Sequence, residues 1–282
     1  DRAVSVFDAA PAGRQAAAAR AVLKPLFDVG ADPGDIRFQA VGHAHIDTAW
    51  LWPIRETIRK TARTFASQLD LIARYPGYVF GASQAQLYEF AQNRYPGLFA
   101  RVKDAVQAGS WEVQGCMWVE ADCNIPDGES LVRQVVHGLH YFQREFGVKP
   151  RNLWLPDVFG YSGNLPQFLL GAGVPTFLTQ KLSWNSYNEF PHNTFVWRGI
   201  DGSEVLSHFP PENNYNAEMQ AGIHVKAQEL YKENAVLDVA VSLYGVGDGG
   251  GGPRIDHVER GLRQVNLNGA PPVVFGPAQA AL

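Results

Sequence analysis

The run Val41-Gly42-His43-Ala44-His45-Ile46-Asp47-Thr48-Ala49-Trp50-Leu51-Trp52-Pro53 gathers two imidazoles, a carboxylate and two indoles in a short stretch. His45 and Asp47 are two apart, so on an extended backbone both side chains leave the same side and can reach one divalent ion. Imidazole with carboxylate is zinc-like ligation, and a fourth, open position would make such a site catalytic. The pattern is short, and from these residues alone a polar loop with two unrelated histidines reads equally well. Trp50 and Trp52 tilt the balance toward a ligand, because an aromatic face beside polar groups suits a sugar ring or another flat molecule.

These residues follow an apolar stretch, Ile36 to Val41, that reads as a buried strand. Other short strands are predicted at 78–80, 111–115, 153–156, 176–178, 194–198, 205–208 and 239–244. Helices are predicted at 12–28, stopped near Gly30 and Pro33, and at 57–75, closed by Pro76-Gly77. Further helices fall at 84–108, interrupted near Pro96, and at 128–146, 165–170 and 225–233. Strand–helix alternation at this spacing predicts parallel βαβ units, hence an α/β fold with a barrel-like or doubly wound, mainly parallel sheet. Polar residues without an evident packing role recur where strands end: His43, His45 and Asp47; Glu120, Asp122 and Asn124; Asp157; Asp248. In a parallel α/β fold all strand carboxyl ends share one rim, so these distant residues can meet. Each also has a bland reading: Asp157 as a helix cap, Asp122 and Asn124 as turn residues before Pro126, Asp248-Gly249 as an ordinary turn. The run Gly247 to Pro253 lacks the Gly-Lys-Ser/Thr of a phosphate loop and the spacing of a dinucleotide fingerprint, so nucleotide binding is rejected.

Composition sets the remaining bounds. A chain of 282 residues, 46% hydrophobic, can bury a full core, and with no repeat or linker-like segment one domain is the simplest organisation. A net charge of −4 offers no attraction to nucleic acid or to acidic membranes. Two cysteines, Cys116 and Cys123, make no disulfide scaffold and read as buried free thiols. No apolar run approaches the roughly 20 residues of a membrane helix. The start Asp1-Arg2-Ala3-Val4 lacks the look of a signal peptide, which favours the cytoplasm.

Three segments together resemble the class II α-mannosidases of glycoside hydrolase family 38, most closely their cytosolic and bacterial branch. They are His43-Ala44-His45-Ile46-Asp47-Thr48-Ala49-Trp50-Leu51-Trp52, Trp154-Leu155-Pro156-Asp157-Val158-Phe159-Gly160, and Gly245-Val246-Gly247-Asp248-Gly249-Gly250-Gly251-Gly252-Pro253. Gln180 to Asn185 and Phe209-Pro210-Pro211 with Tyr215-Asn216 are similar to that branch as well. The resemblance runs from about residue 36 to the end. It implies a distorted (β/α) barrel at 36–282 behind a helical lead-in at 1–35, a zinc ion, and retaining hydrolysis of α-mannosidic bonds in oligosaccharides or glycoconjugates. Matched by motif, His45, Asp47 and Asp157 are expected to hold zinc. Asp157 is also the nucleophile and Asp248 the acid/base. Trp50 lies under the mannose, Phe159 in the pocket wall, and Tyr215 and Asn216 on sugar hydroxyls. The resemblance further implies a fourth zinc ligand, a histidine well downstream of Asp248. His257 lies too close to match, and the family's later helical and β-sandwich domains have no counterpart, so the sequence reads as the N-terminal catalytic fragment of a longer enzyme. A mannose-containing carbohydrate is the expected partner, with neither nucleic acid nor membrane, and a homo-oligomer of the full-length enzyme stays open. Two rivals remain: a metal-dependent polysaccharide deacetylase, which has no need of a glycosyl nucleophile in Trp154-Leu155-Pro156-Asp157, and an inactive sugar-binding fragment.

Overall fold

The computed structural model describes residues 2–282 apart from Pro33 and Asp35, so the helix stop assigned to Pro33 lies outside the described residues. The strands are β1 (Arg37–His43), β2 (Phe80–Ala82), β3 (Trp111–Val113), β4 (Asn152–Leu155), β5 (Thr176–Thr179), β6 (Thr194–Arg198), β7 (Glu204–His208), β8 (Val239–Tyr244) and β9 (Val273–Phe275). Between and around them run α1 (Arg2–Ala9), α2 (Gln15–Val29), α3 (Ile54–Arg74), α4 (Ala85–Arg94), α5 (Pro96–Gln107), α6 (Gly128–Phe146), α7 (Leu165–Gly171), α8 (Ala221–Leu230) and α9 (Ile255–Gln264).

β1 is buried at every position after Arg37, as a strand flanked by parallel neighbours and covered on both faces must be. β8 pairs with it from Arg37 to Gly42, β9 at Phe38 to Ala40 and β2 at Gly42 and His43, all parallel, and β3 extends the sheet beyond β2. The second sheet runs β4-β5-β7-β6. Its β6–β7 pair is antiparallel, closed by a tight connection in which Gly199 and Ser203 bond across the turn, so the expected parallel sheet carries one reversed edge strand. Side chains stitch the two sheets. The Val241 amide of β8 donates to Nε2 of His208 at the end of β7 (3.1 Å), and the Gly115 amide past β3 donates to Oδ1 of Asn152 on β4 (2.7 Å). Val41, Trp154, Leu178, Val241 and Leu243, drawn from β1, β4, β5 and β8, pack into one apolar cluster between the sheets.

Several boundaries differ from the sequence expectation. β2 begins two residues late, at Phe80, although Tyr78 and Val79 have the stronger strand propensity. Its register against Gly42 and against Trp111 decides instead. The helix expected at 225–233 spans Ala221–Leu230. α9 and β9 have no counterpart in the sequence expectation, and α1 falls within the helical lead-in expected at 1–35. Pro96 opens α5, the one place where proline costs a helix nothing, and Gly30 ends α2 with a φ of 86°. Cys116 and Cys123 are free and buried, and burial pushes both thiols up to about 12.

Candidate active site

The expected rim forms. His45 and Asp47 leave the end of β1, and Asp157 lies two residues past β4. Ligand atoms of the three lie within 4.8 Å of one another. His45 Nε2 is 3.3 Å from Asp47 Oδ1 and 3.5 Å from Asp157 Oδ2. The other ring nitrogen, Nδ1, meets Glu120 Oε2 at 2.6 Å, and the Ser83 hydroxyl donates to Oε1 of the same carboxylate at 2.6 Å. Glu120 therefore holds the proton on Nδ1 and aims Nε2 at the two aspartates, an outer-shell arrangement typical of metal-binding histidines. Burial works to lower the His45 pKa. The negative charge of Glu120, then hydrogen bonds to Asp47 and Glu120, outweigh it and hold the imidazole well above its usual 6.5. A group of carboxylates that draws a proton onto a nearly buried imidazole is a site short of positive charge. One imidazole and two carboxylates fit a first-row transition ion better than calcium, which takes oxygen ligands alone.

His43, part of the same motif, does something else. Its Nε2 donates to the Tyr215 carbonyl at 2.6 Å, and burial lowers its pKa to about 4. Its contribution is to tie the Tyr215 segment to β1.

Asp248 reaches the rim from β8. The Asp47 amide donates to the Asp248 carbonyl (3.1 Å), and Ile46 pairs with Gly249 in a short antiparallel bridge. Asp248 adopts a φ of 54°, and Gly250, Gly251 and Gly252 also lie at positive φ. α3 holds both loops through one polar stripe. Thr57 donates to the Asp47 carbonyl (2.8 Å), Thr64 accepts from the Gly251 amide (2.8 Å), and Gln68 donates to the Gly251 and Pro253 carbonyls (2.7 and 3.1 Å). Those fully buried polar side chains on an otherwise amphipathic helix thus have a purpose, and their spacing (57, 61, 64, 68) was a signal available in the sequence.

The Tyr215 hydroxyl donates to Asp248 Oδ1 at 3.1 Å and lies within hydrogen-bonding reach of Asp157. Its pKa is raised, first by burial and then by those two carboxylates. Lys181, at the end of β5, forms an ion pair with the other Asp157 oxygen, and its ammonium lies over the rings of Trp184 (4.1 Å), Phe159 (5.2 Å) and Tyr215 (5.7 Å). Neither Lys181 nor Glu120 is among the site residues expected from sequence, although Glu120 is one of the strand-end polar residues. Trp50 (61% exposed) and Phe159 (75% exposed) present open aromatic faces, and Trp50 stands edge-on to Trp52 at 5.5 Å. Asn216 Oδ1 is buried without a partner and borders Gly247, where an added Cβ would sit 2.5 Å from it. Asp122 is a turn residue: its carboxylate accepts the Asn124 and Ile125 amides. His257 stays apart, in a network with Glu218, Arg254, Asp256 and Arg260. Its Glu218-Asp256-His257 grouping has metal-like spacing, but two guanidiniums already neutralise its carboxylates.

Comparison with known proteins gives the family. Residues 35–280 match the glycosyl hydrolases family 38 N-terminal domain, and the chain belongs to that family. Alpha-mannosidase 2C1 of Homo sapiens is 46% identical over 234 residues, covering 83% of this chain and 22% of that protein. Alpha-mannosidase G of Dictyostelium discoideum is 44% identical over 257 residues, 91% of this chain and 24% of its own length. The chain thus spans less than a quarter of either relative. The crystal structure of an alpha-mannosidase from Enterococcus faecalis V583 shares the fold with a TM-score of 0.73 at 19% identity, over 87% of this chain and 29% of that one.

Proposed function

We propose that residues 36–282 are the catalytic domain, and residues 1–35 its helical lead-in, of a zinc-dependent retaining α-mannosidase acting on mannose-containing oligosaccharides or glycoconjugates. The observation that carries this reading is the meeting of His45, Asp47 and Asp157 around one point, with Asp248 joined to the same spot through the Tyr215 hydroxyl. We read the two sheets as arcs of one distorted barrel. The His208 and Asn152 bridges and the shared apolar cluster support that closure.

His45, Asp47 and Asp157 would hold zinc, which when bound supplies Lewis-acid polarisation and a fixed positive charge beside the sugar. The chain's own groups divide the remaining work. Asp157 attacks the anomeric carbon as the glycosidic bond to the leaving oxygen breaks. Asp248 gives that oxygen its proton, then takes one from the water that releases the sugar from Asp157. Double displacement of this kind needs carboxyls about 5–5.5 Å apart, and a single hydroxyl in reach of both supports such a spacing. Lys181 keeps one Asp157 oxygen oriented. Trp50 and Phe159 offer apolar faces to the ring, and Asn216, beside Gly247 in the loop that carries Asp248, is the expected partner of a sugar hydroxyl. Buried free thiols suit a reducing compartment such as the cytoplasm, and among the described residues no helix is long and apolar enough to cross a membrane.

The test is an aryl α-mannoside given to the full-length protein, with the first-formed product followed by proton NMR. The expected product is α-mannose. A β product would rule out double displacement, while acetate release from an acetylated oligosaccharide with its glycosidic bonds intact would make the deacetylase the better reading.

A further inference from the structure

The side chain of Glu212 is fully buried, yet neither carboxyl oxygen has a hydrogen-bond partner of good geometry. It lies in the segment between β7 and α8 that goes on, three residues later, to Tyr215. Facing it from α8 is His224, also buried, with Nε2 3.9 Å from Glu212 Oε1. Facing it from β8 is Ser242, whose hydroxyl is 3.2 Å from the same Nε2. α9 reaches the group only through His224. Gln264 spends its amide hydrogens on the Met219 and Arg260 carbonyls, so its Oε1 accepts from His224 Nδ1 at 2.8 Å. β1 contributes the Phe38 ring, 4.9 Å from the imidazole. Among the described residues no lysine, arginine or second carboxylate lies within ion-pair distance of Glu212.

This fixes the proton inventory. Gln264 demands the hydrogen on Nδ1, so Nε2 is a lone pair, 3.2 Å from the Ser242 hydroxyl and 3.9 Å from the carboxyl. A carboxylate in that place would face a lone pair in an interior without compensating cations, which is the costly arrangement. We propose that Glu212 and His224 hold one proton between them, and that this neutral pair is a positioning device that pins the 209–216 segment and so keeps the Tyr215 hydroxyl between Asp157 and Asp248. Burial, only partly offset by Ser242 and by its own backbone, raises the Glu212 carboxyl to about 7, and burial lowers the imidazole. When the proton leaves, the stranded charge is relieved by moving the segment toward water. The segment's neighbouring ties, Gln180 and Trp184 on the Asn213 carbonyl and His43 on the Tyr215 carbonyl, do not titrate a carboxylic acid. The consequence for catalysis rests on the mannosidase reading. The shared proton does not.

Two measurements on the full-length protein separate them. Infrared difference spectra across neutral pH should show the carbonyl band of a protonated carboxylic acid that disappears near pH 7 and is missing in Glu212→Gln, whatever the protein hydrolyses. In mannoside hydrolysis, kcat should fall on the alkaline side by about tenfold to a hundredfold, the scale of a small misplacement of a reacting group. Glu212→Gln, which donates to Nε2 and has no proton to lose, should keep its kcat through that range while Glu212→Ala loses it at every pH. Ser242→Ala, a smaller change should the Gln variant fail to fold, removes a hydroxyl that favours the carboxylate and should carry the alkaline limb to higher pH. No acid band in the wild type, or an alkaline limb that neither Glu212→Gln nor Ser242→Ala moves, overturns the proposal.

Discussion

At the scale of single residues, the two aspartates are expected to fail in different ways. Asp157→Ala should abolish turnover and also weaken metal binding, because in the proposed mechanism one carboxylate serves as nucleophile and ligand. Asp248→Ala should keep its metal and lose most on substrates whose leaving groups need a proton, sparing the first step on an activated aryl mannoside. Kinetics across a leaving-group series, with metal content measured alongside, checks both. Equal losses on good and poor leaving groups would remove the acid role from Asp248. Glu120 makes a third case. Its carboxylate touches His45 Nδ1 and the Ser83 hydroxyl rather than the expected ion position. Glu120→Gln presents either an amide hydrogen or a weaker acceptor to Nδ1, so metal affinity should fall by about 10–100-fold in a chelator competition. Unchanged affinity would make Glu120 a packing residue. The convergence of His45, Asp47 and Asp157 was legible because they sit in short motifs, His-x-Asp and Pro-Asp at strand ends. Lys181 and Glu120 escaped because their partners, Asp157 and His45, are 24 and 75 residues away, and nothing local marks either side chain.

At the scale of elements, the glycine run and α3 act as one unit. An alanine at Gly250, where φ is 73°, would place its Cβ 2.6 Å from Thr64 Oγ1 and 3.0 Å from Ile46 Cδ1. Both contacts lie on the surfaces that hold the loop, so strain at the backbone, about 1–3 kcal/mol, is passed to Asp248 rather than absorbed. Gly250→Ala should therefore copy Asp248→Ala in its leaving-group dependence while keeping metal, because His45, Asp47 and Asp157 have their own supports. Loss of metal together with activity would show the whole rim depending on this loop. The glycine run was legible as a backbone that approaches something closely. What it approaches, the buried threonines and glutamine of α3, required the fold. Helices with clear punctuation (Pro76-Gly77 after α3, Pro96 within 84–108) were legible too. α9 was not, since Ile255-Asp256-His257-Val258-Glu259-Arg260 offers few apolar positions and Gly261 interrupts it. β9 was missed because three residues behind Pro271-Pro272 acquire strand character only by pairing with β1.

At the scale of the molecule, the two sheets meet where side chains replace a backbone ladder, so a seam of this kind answers to pH as a ladder does not. His208 Nε2 accepts the Val241 amide while its Nδ1 donates to the Thr194 hydroxyl at 2.8 Å, an assignment that only neutral imidazole permits. Burial lowers its pKa from 6.5 to about 4. The folded protein therefore takes up this proton less readily than the unfolded chain. The stability it contributes is complete above pH 6.5 and is lost as pH falls through about 4, amounting to about 3 kcal/mol over that window. Glu212, raised from 4.5 to about 7, has the opposite sign, with stability present at low pH and lost as pH rises between those values. His208→Leu removes the acceptor and leaves the Val241 amide unpaired, which should cost about 1–3 kcal/mol at pH 8. Because the wild type surrenders the same bond on acidification, the difference between the two proteins should shrink toward pH 4. Hydrogen exchange at the Val241 amide follows this directly: protection should be high in the wild type at pH 8, low in the variant, and convergent in acid after correction for intrinsic exchange. A difference that stays constant from pH 8 to pH 4 would mean that the seam is held by the apolar cluster of Val41, Trp154, Leu178, Val241 and Leu243 alone, with His208 a passenger.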